Sequence, residues 1–351
     1  MMKNWKPLIL AMILVMALAL TACGKTEPAE QEKTDEKPFA GTTLELLVAY
    51  GGADKSFDAF TEATGIKIEW LEMSTGSALA KLQAEDGKTT ADIWFGGGVD
   101  SYLNARDLGY LEAYKSPELS AIDPQYVDKD GYFSGLALVP AGFIVNEDIL
   151  KEKGLEAPKT WEDLADPKYR GEISMPNPAI SGTSYAIVSG LIQAWGEEKA
   201  WKYFEAFDSN IDFYAKGGGE PLEKVGAGEF AVGVVAITGG TFNVGETRPT
   251  RVVYPQDLIP WTPAPIAIFK NTENLDAAKA LIDWYLSYDG QNILREADAR
   301  IMARSDVDAP EIMSGLDKSK LVKFDLERMG KAAEGGSGQG DGHESQDNAI
   351  G

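Results

Sequence analysis

Residues 43–108 alternate between strand-like and helix-like hydrophobic patterns. The segment TLELLVA at 43–49 is mostly apolar, which predicts a buried strand, and the helical period after it ends at Gly65, a typical terminator. Further strands are predicted at 66–73 and 91–95, and helices are predicted at 54–64, 74–84 and 99–108. This repetition predicts an α/β fold whose sheet is mainly parallel and is covered by helices on both faces.

A strand-rich centre and a second α/β series follow this first series. Residues 132–146 favour strand, and a new alternation of strands and helices begins at Gly171. Later strands are predicted at 230–237, 251–254 and 265–269, and helices are predicted over 275–296. No internal repeat is visible in the sequence. Two α/β series joined through a strand-rich centre predict two lobes with a cleft between them.

The N-terminal residues have the composition of a lipoprotein signal. Lys3 and Lys6 precede thirteen unbroken apolar residues at 8–20. This run is shorter than the roughly 20 residues of a spanning helix, so it predicts a secretory signal over 1–22. Small residues before Cys23 match the bacterial lipobox, in which the cysteine is lipidated. A plain secretion signal is the alternative, although Cys23 is the only cysteine and no disulfide can form.

Composition and charge limit the location and the partners. Residues 23–41 are rich in Glu, Lys, Thr and Pro and predict a flexible tether, whereas 330–351 hold seven glycines and predict a disordered tail. The formal charge is −22, and loss of 1–22 with its two lysines would leave −24. Such acidity argues against nucleic acid as a partner. With the lipid at Cys23, we expect a protein anchored to the cell membrane and facing the extracellular or periplasmic side.

Three longer segments resemble one family of transport proteins. They are residues 91–112 (ADIWFGGGVDSYLNARDLGYLE), 158–186 (PKTWEDLADPKYRGEISMPNPAISGTSYA) and 214–234 (YAKGGGEPLEKVGAGEFAVGV). They are similar to the solute-binding proteins of importers for ferric ion, hexose phosphate and 2-aminoethylphosphonate. The likeness spans about 43–330, and the spacing of WEDLADPKYRG and NPxxSGT argues against chance agreement.

The resemblance implies a two-lobed, type II periplasmic-binding fold with a hinged cleft between the lobes. Lobe one would comprise 43–137 and 264–300, and lobe two 138–263, with C-terminal helices at 301–329 packed on lobe two. The implied function is that of a monomer that captures a small solute by lobe closure and delivers it to an ABC permease. Neither a cofactor nor catalysis is implied. Family members usually end in a further charged helix, and the glycine-rich tail departs from that.

The candidate site consists of small, glycine-rich or hydroxyl-rich residues at three predicted helix starts. They are Ser74, Thr75, Gly76 and Ser77, then Ser181, Gly182 and Thr183, and then Lys216, Gly217 and Gly218. Helix N-termini have unpaired N–H groups and partial positive charge, which suit a phosphate or phosphonate. Ordinary helix capping is the alternative for each segment alone. Three such segments, at positions that match the family's ligand loops, favour a site for an anionic organic solute.

Four further residues are candidates for the cleft. Tyr50, Gly97 and Thr238 follow predicted strands and have glycine neighbours. Trp261 lies in LIPWTPAP, where prolines make regular burial less expected, so its ring would either stack on the solute or belong to the core. Hexose-phosphate relatives carry a His-Asp pair at the position of Thr238 and Gly239, and this difference counts against a sugar phosphate.

Ferric ion is the alternative ligand within the same fold. Iron-binding members coordinate the metal with neighbouring tyrosines, often joined by His and Glu, and hard Fe³⁺ favours such oxygen ligands. Phe213 precedes Tyr214 here, so one phenolate is missing, and the sole histidine, His343, lies in the predicted tail. We therefore assign no metal ligands.

A secreted enzyme is the alternative from another class. Residues 42–329 contain no His and no Cys, which excludes Ser-His triads, Cys-His pairs and His-ligated zinc from this region. A carboxylate-dependent glycosidase stays open because the chain has 55 acidic residues, but no motif supports it. We therefore expect a binding protein rather than an enzyme.

Overall fold

The structure is a computed structural model that describes residues 37–329. The predicted signal sequence, Cys23 and the glycine-rich tail lie outside these residues. Within 37–329, no helix combines the length and the apolar composition needed to cross a lipid bilayer.

The described residues alternate strands and helices along most of the chain. The strands are β1 (Thr43–Val48), β2 (Lys67–Glu72), β3 (Ile93–Phe95), β4 (Leu111–Glu112), β5 (Ser134–Asn146), β6 (Ile173–Pro176), β7 (Ile211–Ala215), β8 (Val232–Ala236), β9 (Thr250–Val253), β10 (Trp261–Phe269) and β11 (Ile301–Met302). The helices are α1 (Asp54–Thr64), α2 (Thr75–Ala84), α3 (Val99–Asp107), α4 (Glu147–Lys153), α5 (Gly182–Trp195), α6 (Glu197–Asp208), α7 (Glu220–Ala227), α8 (Gly239–Gly245), α9 (Leu275–Leu286) and α10 (Tyr288–Ala297). The mixed α/β class predicted from the sequence is confirmed.

The first α/β series forms one side of the sheet. β1 pairs in parallel with β2 and with β3, and α1 to α3 connect and follow these strands. α1 ends at Gly65, which takes the left-handed conformation with φ 84°, a backbone geometry that glycine adopts without strain. Phe60 on α1 packs against the rings of Trp284 and Tyr285 of α9, so the last long helices return to cover the first strands.

β5 and β10 lie side by side at the centre of the sheet, whose order is β2-β1-β3-β10-β5-β8-β6-β7. β10 is antiparallel to β3 and β5, and β5 is antiparallel to β8. The expectation of a mainly parallel sheet is therefore wrong at the centre and holds only within each α/β series. The reason is topological, because β5 leaves the first series and β10 returns to it in the opposite direction.

The second α/β series continues the sheet beyond β5. β6 pairs in parallel with β7 and β8, while β5 and β9 are antiparallel. β5 pairs with β10 up to Pro140 and with β8 from Ala141 onward. A separate cluster of buried residues, which includes Phe143 and Trp161, packs around this second series. The point at which β5 changes its partner strand lies next to the lobe boundary predicted at residue 138. The division into lobes itself stays a prediction.

Residues 301–329 differ from the expected set of helices packed on lobe two. β11 pairs with β5, and the turns Glu311–Met313 and Lys318–Lys320 are short 3-10 helices. Met313 belongs to the buried cluster of the first series. The carbonyl of Met329 accepts a hydrogen bond from the hydroxyl of Tyr185 of α5, in the second series. The segment therefore contacts both series. Pro310 and Gly315 interrupt the helical period, which explains the short turns.

Candidate functional site

The loops after β1 and β3 lie side by side because these parallel strands end at the same edge of the sheet. A Cβ added at Gly96 would lie 2.5 Å from Cβ of Tyr50. Gly97 has φ +101°, and a Cβ added there would lie 2.3 Å from Oγ1 of Thr75. Side chains are thus excluded from the loop at 96–98, and Tyr50 and Thr75 close around it. The carboxyl ends of strands are the usual ligand-binding edge of α/β sheets.

Two helices begin beside this loop. Ser74 caps α2, because its Oγ accepts a hydrogen bond from the N–H of Ser77 at 3.3 Å. Oγ1 of Thr75 accepts from the N–H of Gly98 at 3.1 Å, which ties the first turn of α2 to the residue before α3. The N-termini of α2 and α3 therefore lie together, and such termini carry N–H groups without intrahelical partners.

The start of α5 reaches the same place from the second series. The N–H of Gly76 donates to the carbonyl of Ile180 at 3.1 Å. A Cβ added at Gly182 would lie 2.4 Å from Cα of Gly98, so the two backbones touch and leave no room for a side chain. The structure thus brings the first two predicted segments together around the loop at 96–98.

Asp100 lies in the first turn of α3 and faces these helix starts. Its Oδ1 lies 3.3 Å from the position that a Cβ of Gly182 would take, and it is enclosed without a hydrogen-bond partner among residues 37–329. Ser101 donates to the other carboxyl oxygen at 3.2 Å. Burial raises the pKa of the Asp100 carboxyl to about 6. A buried carboxyl group with a raised pKa therefore lies beside the converging helix starts.

The third predicted segment precedes α7. β6 and β7 are parallel neighbours, so Lys216 lies beside the loop that leads from β6 to α5. The backbone N–H of Lys216 donates to the carboxylate of Glu220 at 3.0 Å. Cβ atoms added at Gly217 or Gly218 would meet nothing within 4 Å. This segment is therefore open, and its backbone can be approached closely.

A buried cluster around Arg300 packs on Tyr50. The guanidinium carbon of Arg300 lies 3.5 Å from the centre of the Tyr50 ring. Nε of Arg300 donates to Asp298 at 2.7 Å, and Nη2 donates to the carbonyl of Gly51 at 3.2 Å. The other oxygen of Asp298 accepts from the N–H of Gly240 at 3.1 Å. The cluster thus links the loop after β1 to the start of α8.

Two of the predicted site residues have structural roles. Thr238 forms a reciprocal capping box with the third residue of α8. Trp261 is 4% exposed, and its Nε1–H donates to the carbonyl of Val322 at 2.8 Å. Of the two alternatives for Trp261, the structure has the core, and β10 accommodates the neighbouring prolines at a register shift between Pro263 and Pro265.

Sequence reasoning missed three charged residues near the site. Asp298 and Arg300 lie in no glycine-rich or hydroxyl-rich segment, whereas Asp100 follows the glycines at 96–98 within the segment 91–112 but was not selected as a site residue. Arg300 approaches Tyr50 because residues 298–300, between α10 and β11, pack against Gly51 and Gly52 in the loop after β1. Topology alone could have revealed this, and the sequence pattern does not contain it.

Tyr214, the candidate iron ligand, is 38% exposed and donates its hydroxyl to Asp208 at 2.7 Å. Burial and the hydrogen bond to Asp208 raise the pKa of Tyr214 well above its ordinary value. Within residues 37–329, no group of three or more His, Cys, Asp and Glu side chains is placed to hold a metal.

The family of bacterial extracellular solute-binding proteins matches residues 88–323 of this chain. The match covers more than half of the sequence and includes α3, α5 and the loops around them. The chain therefore belongs to this family, and it is a solute-binding component of an ABC importer.

Two relatives show how the likeness extends along the chain. An uncharacterized protein of Haemophilus influenzae is 30% identical over 279 residues, which cover 78% of this chain and 81% of the relative. The phosphoglycerate transport regulatory protein PgtC of Salmonella typhimurium is 26% identical over 246 residues, which cover 68% of this chain and 59% of PgtC.

Solved structures share the fold. The periplasmic binding protein AfuA from Actinobacillus pleuropneumoniae, with exogenous fructose-6-phosphate bound, has 30% sequence identity and a TM-score of 0.76 over 82% of this chain and 93% of AfuA. Iron-bound HitA from Pseudomonas aeruginosa has 20% identity and a TM-score of 0.72 over 84% of this chain and 97% of HitA. At that identity, HitA shows the fold alone.

Proposed function

We propose that the protein captures a small organic solute bearing a phosphate or phosphonate group and delivers it to an ABC permease. The observation that carries this proposal is the meeting of the N-termini of α2, α3 and α5 around the loop at 96–98. Helix N-termini direct N–H groups and partial positive charge at a bound anion. The names of PgtC and of the AfuA complex, which refer to phosphorylated compounds, agree with this chemistry.

The magnitudes are sufficient for capture at micromolar concentration. A helix terminus contributes about 0.3–1 kcal/mol to anion binding, and up to about 2 kcal/mol when partly buried. Each hydrogen bond to a charged group adds roughly 1.5–3 kcal/mol. A micromolar dissociation constant requires about 8 kcal/mol after the costs of association. Three termini and several bonds reach that value, and distant surface acids are screened beyond roughly 8 Å at physiological salt.

The solute would bind between two lobes that close around it. The largest buried clusters of the two α/β series are distinct, a further cluster joins Ala186 of α5 to the first series, and β5 and β10 connect the two series. Gly98 of the first series touches Gly182 of the second, so the candidate site lies where the two series meet. Lobes joined by a few strands commonly close as hinged bodies around a ligand.

We further propose that a diacylglycerol on Cys23 holds the protein at the membrane, with the folded part outside. The lipobox before Cys23 supports this, and the residue lies outside the described part of the structure. Two acyl chains anchor stably, whereas one chain is reversible. Cys23→Ser should therefore move the protein from the membrane fraction to the soluble fraction after a high-salt wash. Sedimentation of the variant with membranes would contradict the proposal.

The ligand class can be tested by melting the purified protein with matched pairs of compounds. A ligand that binds only the native state raises the melting temperature through RT ln(1 + [L]/Kd). Fructose 6-phosphate should be compared with fructose, glycerol 3-phosphate with glycerol, and 2-aminoethylphosphonate with ethanolamine. We expect a rise only with some of the phosphorus-containing members. A rise with ferric salt, or with both members of a pair equally, would contradict the proposal.

A further inference from the structure

Arg300 is a buried arginine that uses only part of its hydrogen-bonding capacity. Its side chain is almost enclosed, yet Nη1 makes no hydrogen bond to any residue within 37–329, while Nε and Nη2 do. The hydroxyl of Tyr50, on the ring beneath the guanidinium, is also enclosed and has no partner among these residues. Buried polar groups nearly always have partners. The enclosed, unpartnered hydroxyl of Tyr50 and Nη1 of Arg300, which is not fully enclosed, therefore leave two donors for an acceptor that does not come from the chain.

Arg304 shows how a structural arginine in the same segment is satisfied. Its Nε and Nη2 donate to the two oxygens of Asp306 at 2.8 and 2.9 Å. Its Nη1 donates both to Glu118 at 2.7 Å and to the carbonyl of Leu286 at 3.0 Å. Every nitrogen of Arg304 is thus bonded within the protein. The free Nη1 of Arg300 is not a general feature of buried arginines in this fold.

The position of Arg300 places it beside the candidate site. Tyr50 contacts Gly96, the first residue of the loop around which the helix starts converge. The Asp298 partner of Arg300 accepts from Gly240 at the start of α8, which belongs to the second series. The cluster therefore lies between the two series, where closing lobes would enclose a solute.

We propose that Arg300 and the Tyr50 hydroxyl form a second anion subsite, which binds a carboxylate of the same solute. The inference rests on the proposed function and narrows the solute to a phosphorylated or phosphonylated carboxylic acid. The tetrahedral group would bind the helix starts, and the planar guanidinium suits a planar carboxylate. Asp298 already compensates the single positive charge of Arg300, which favours a singly charged carboxylate over a more highly charged second phosphate. Asp298 acts as a positioning residue, because it holds the guanidinium against Tyr50.

Two probes that differ only at one carbon test this subsite. In 3-phosphoglycerate a carboxylate replaces the terminal hydroxymethyl group of glycerol 3-phosphate. Calorimetry on the wild-type protein should give a dissociation constant for 3-phosphoglycerate that is at least about tenfold lower than that for glycerol 3-phosphate. The reason is that an arginine–carboxylate contact is charge-assisted.

Arg300→Lys separates ligand recognition from folding. The lysine keeps the positive charge beside Asp298 but loses the planar fork, so the preference for 3-phosphoglycerate should fall to about twofold or less. The affinity for glycerol 3-phosphate should change by less than about threefold.

Tyr50→Phe keeps the ring under the guanidinium and should weaken the binding of 3-phosphoglycerate but not that of glycerol 3-phosphate. Arg304→Lys is the matched control, which should lower the melting temperature and leave the preference unchanged.

The outcomes distinguish the subsite from the proposed function. If neither probe binds the wild-type protein and the panel of phosphorus compounds gives no melting shift, the proposed function fails, and the subsite fails with it. If both probes bind equally, or if Arg300→Lys keeps the full preference, the subsite alone is overturned. Loss of the preference in Arg304→Lys to the same extent as in Arg300→Lys would also overturn it.

Discussion

Two hydroxyl side chains at the start of α5 illustrate how neighbouring residues can serve stability and binding separately. Oγ of Ser181 accepts a hydrogen bond from the N–H of Ser184 at 3.4 Å and so caps the helix. Thr183 is only half-buried, and its hydroxyl makes no hydrogen bond to the residues described between 37 and 329. Ser181 is therefore a structural cap, and Thr183 is available to a ligand.

This difference gives a paired prediction for inorganic phosphate as the probe. Thr183→Val keeps the shape of the side chain but removes its donor, so it should weaken phosphate binding by about 1–3 kcal/mol with little change in melting temperature. Ser181→Ala should lower the free energy of unfolding by about 0.5–2 kcal/mol. Calorimetry and a melting curve on the same samples measure both quantities. A Thr183→Val protein that loses stability but keeps its affinity would show that this hydroxyl is structural.

The sequence predicted single residues well where a local pattern identifies them. The hydroxyls at 74 and 181 cap helices, which is the alternative that the sequence analysis gave for these segments, because serine and threonine favour that position. Arg300 was not foreseen, and the sequence left open whether Trp261 stacks on the solute or belongs to the core, because both roles depend on distant partners. The ring of Trp261 is enclosed by Tyr126 and Phe324, which are far from it along the chain.

Secondary-structure elements were predictable in their position but not in their pairing. The helix expected at 54–64 is α1 with the same bounds, because Gly65 ends it locally, and the strand expected at 43–49 is β1 within one residue. The antiparallel centre was missed because a hydrophobic run does not reveal which strand will lie beside it. β5 is buried along its whole length, so its pattern fits parallel and antiparallel neighbours equally.

The proposed phosphate site is formed by the N-termini of α2, α3 and α5 rather than by charged side chains. This follows from where these three helices begin relative to the strands. α2 and α3 begin at the carboxyl ends of β1 and β3, and α5 begins after β6 in the second series. Glycine at 98 and at 182 permits the contact, since a Cβ at either position would overlap the other backbone. The glycine signal was visible in the sequence, whereas the contact between the two loops required the fold.

The whole molecule combines two α/β series, each with its own buried cluster, and strands that pass between them. Ligand capture in such an arrangement depends on the two series approaching each other at Gly98 and Gly182. An alanine at Gly182 would place its Cβ 2.4 Å from Cα of Gly98. The methyl group should therefore hold the series apart, and it provides a control for any measurement of closure.

Small-angle scattering of the purified protein, with and without the phosphorus compound that gives the largest melting shift, tests the central claim most directly. A ligand that binds the closed arrangement better shifts the population toward it. We predict that the radius of gyration of the wild-type protein falls at saturation, and that Gly182→Ala shows a smaller decrease at the same occupancy. A scattering curve that stays unchanged when calorimetry shows the wild-type site to be full would contradict capture by closure.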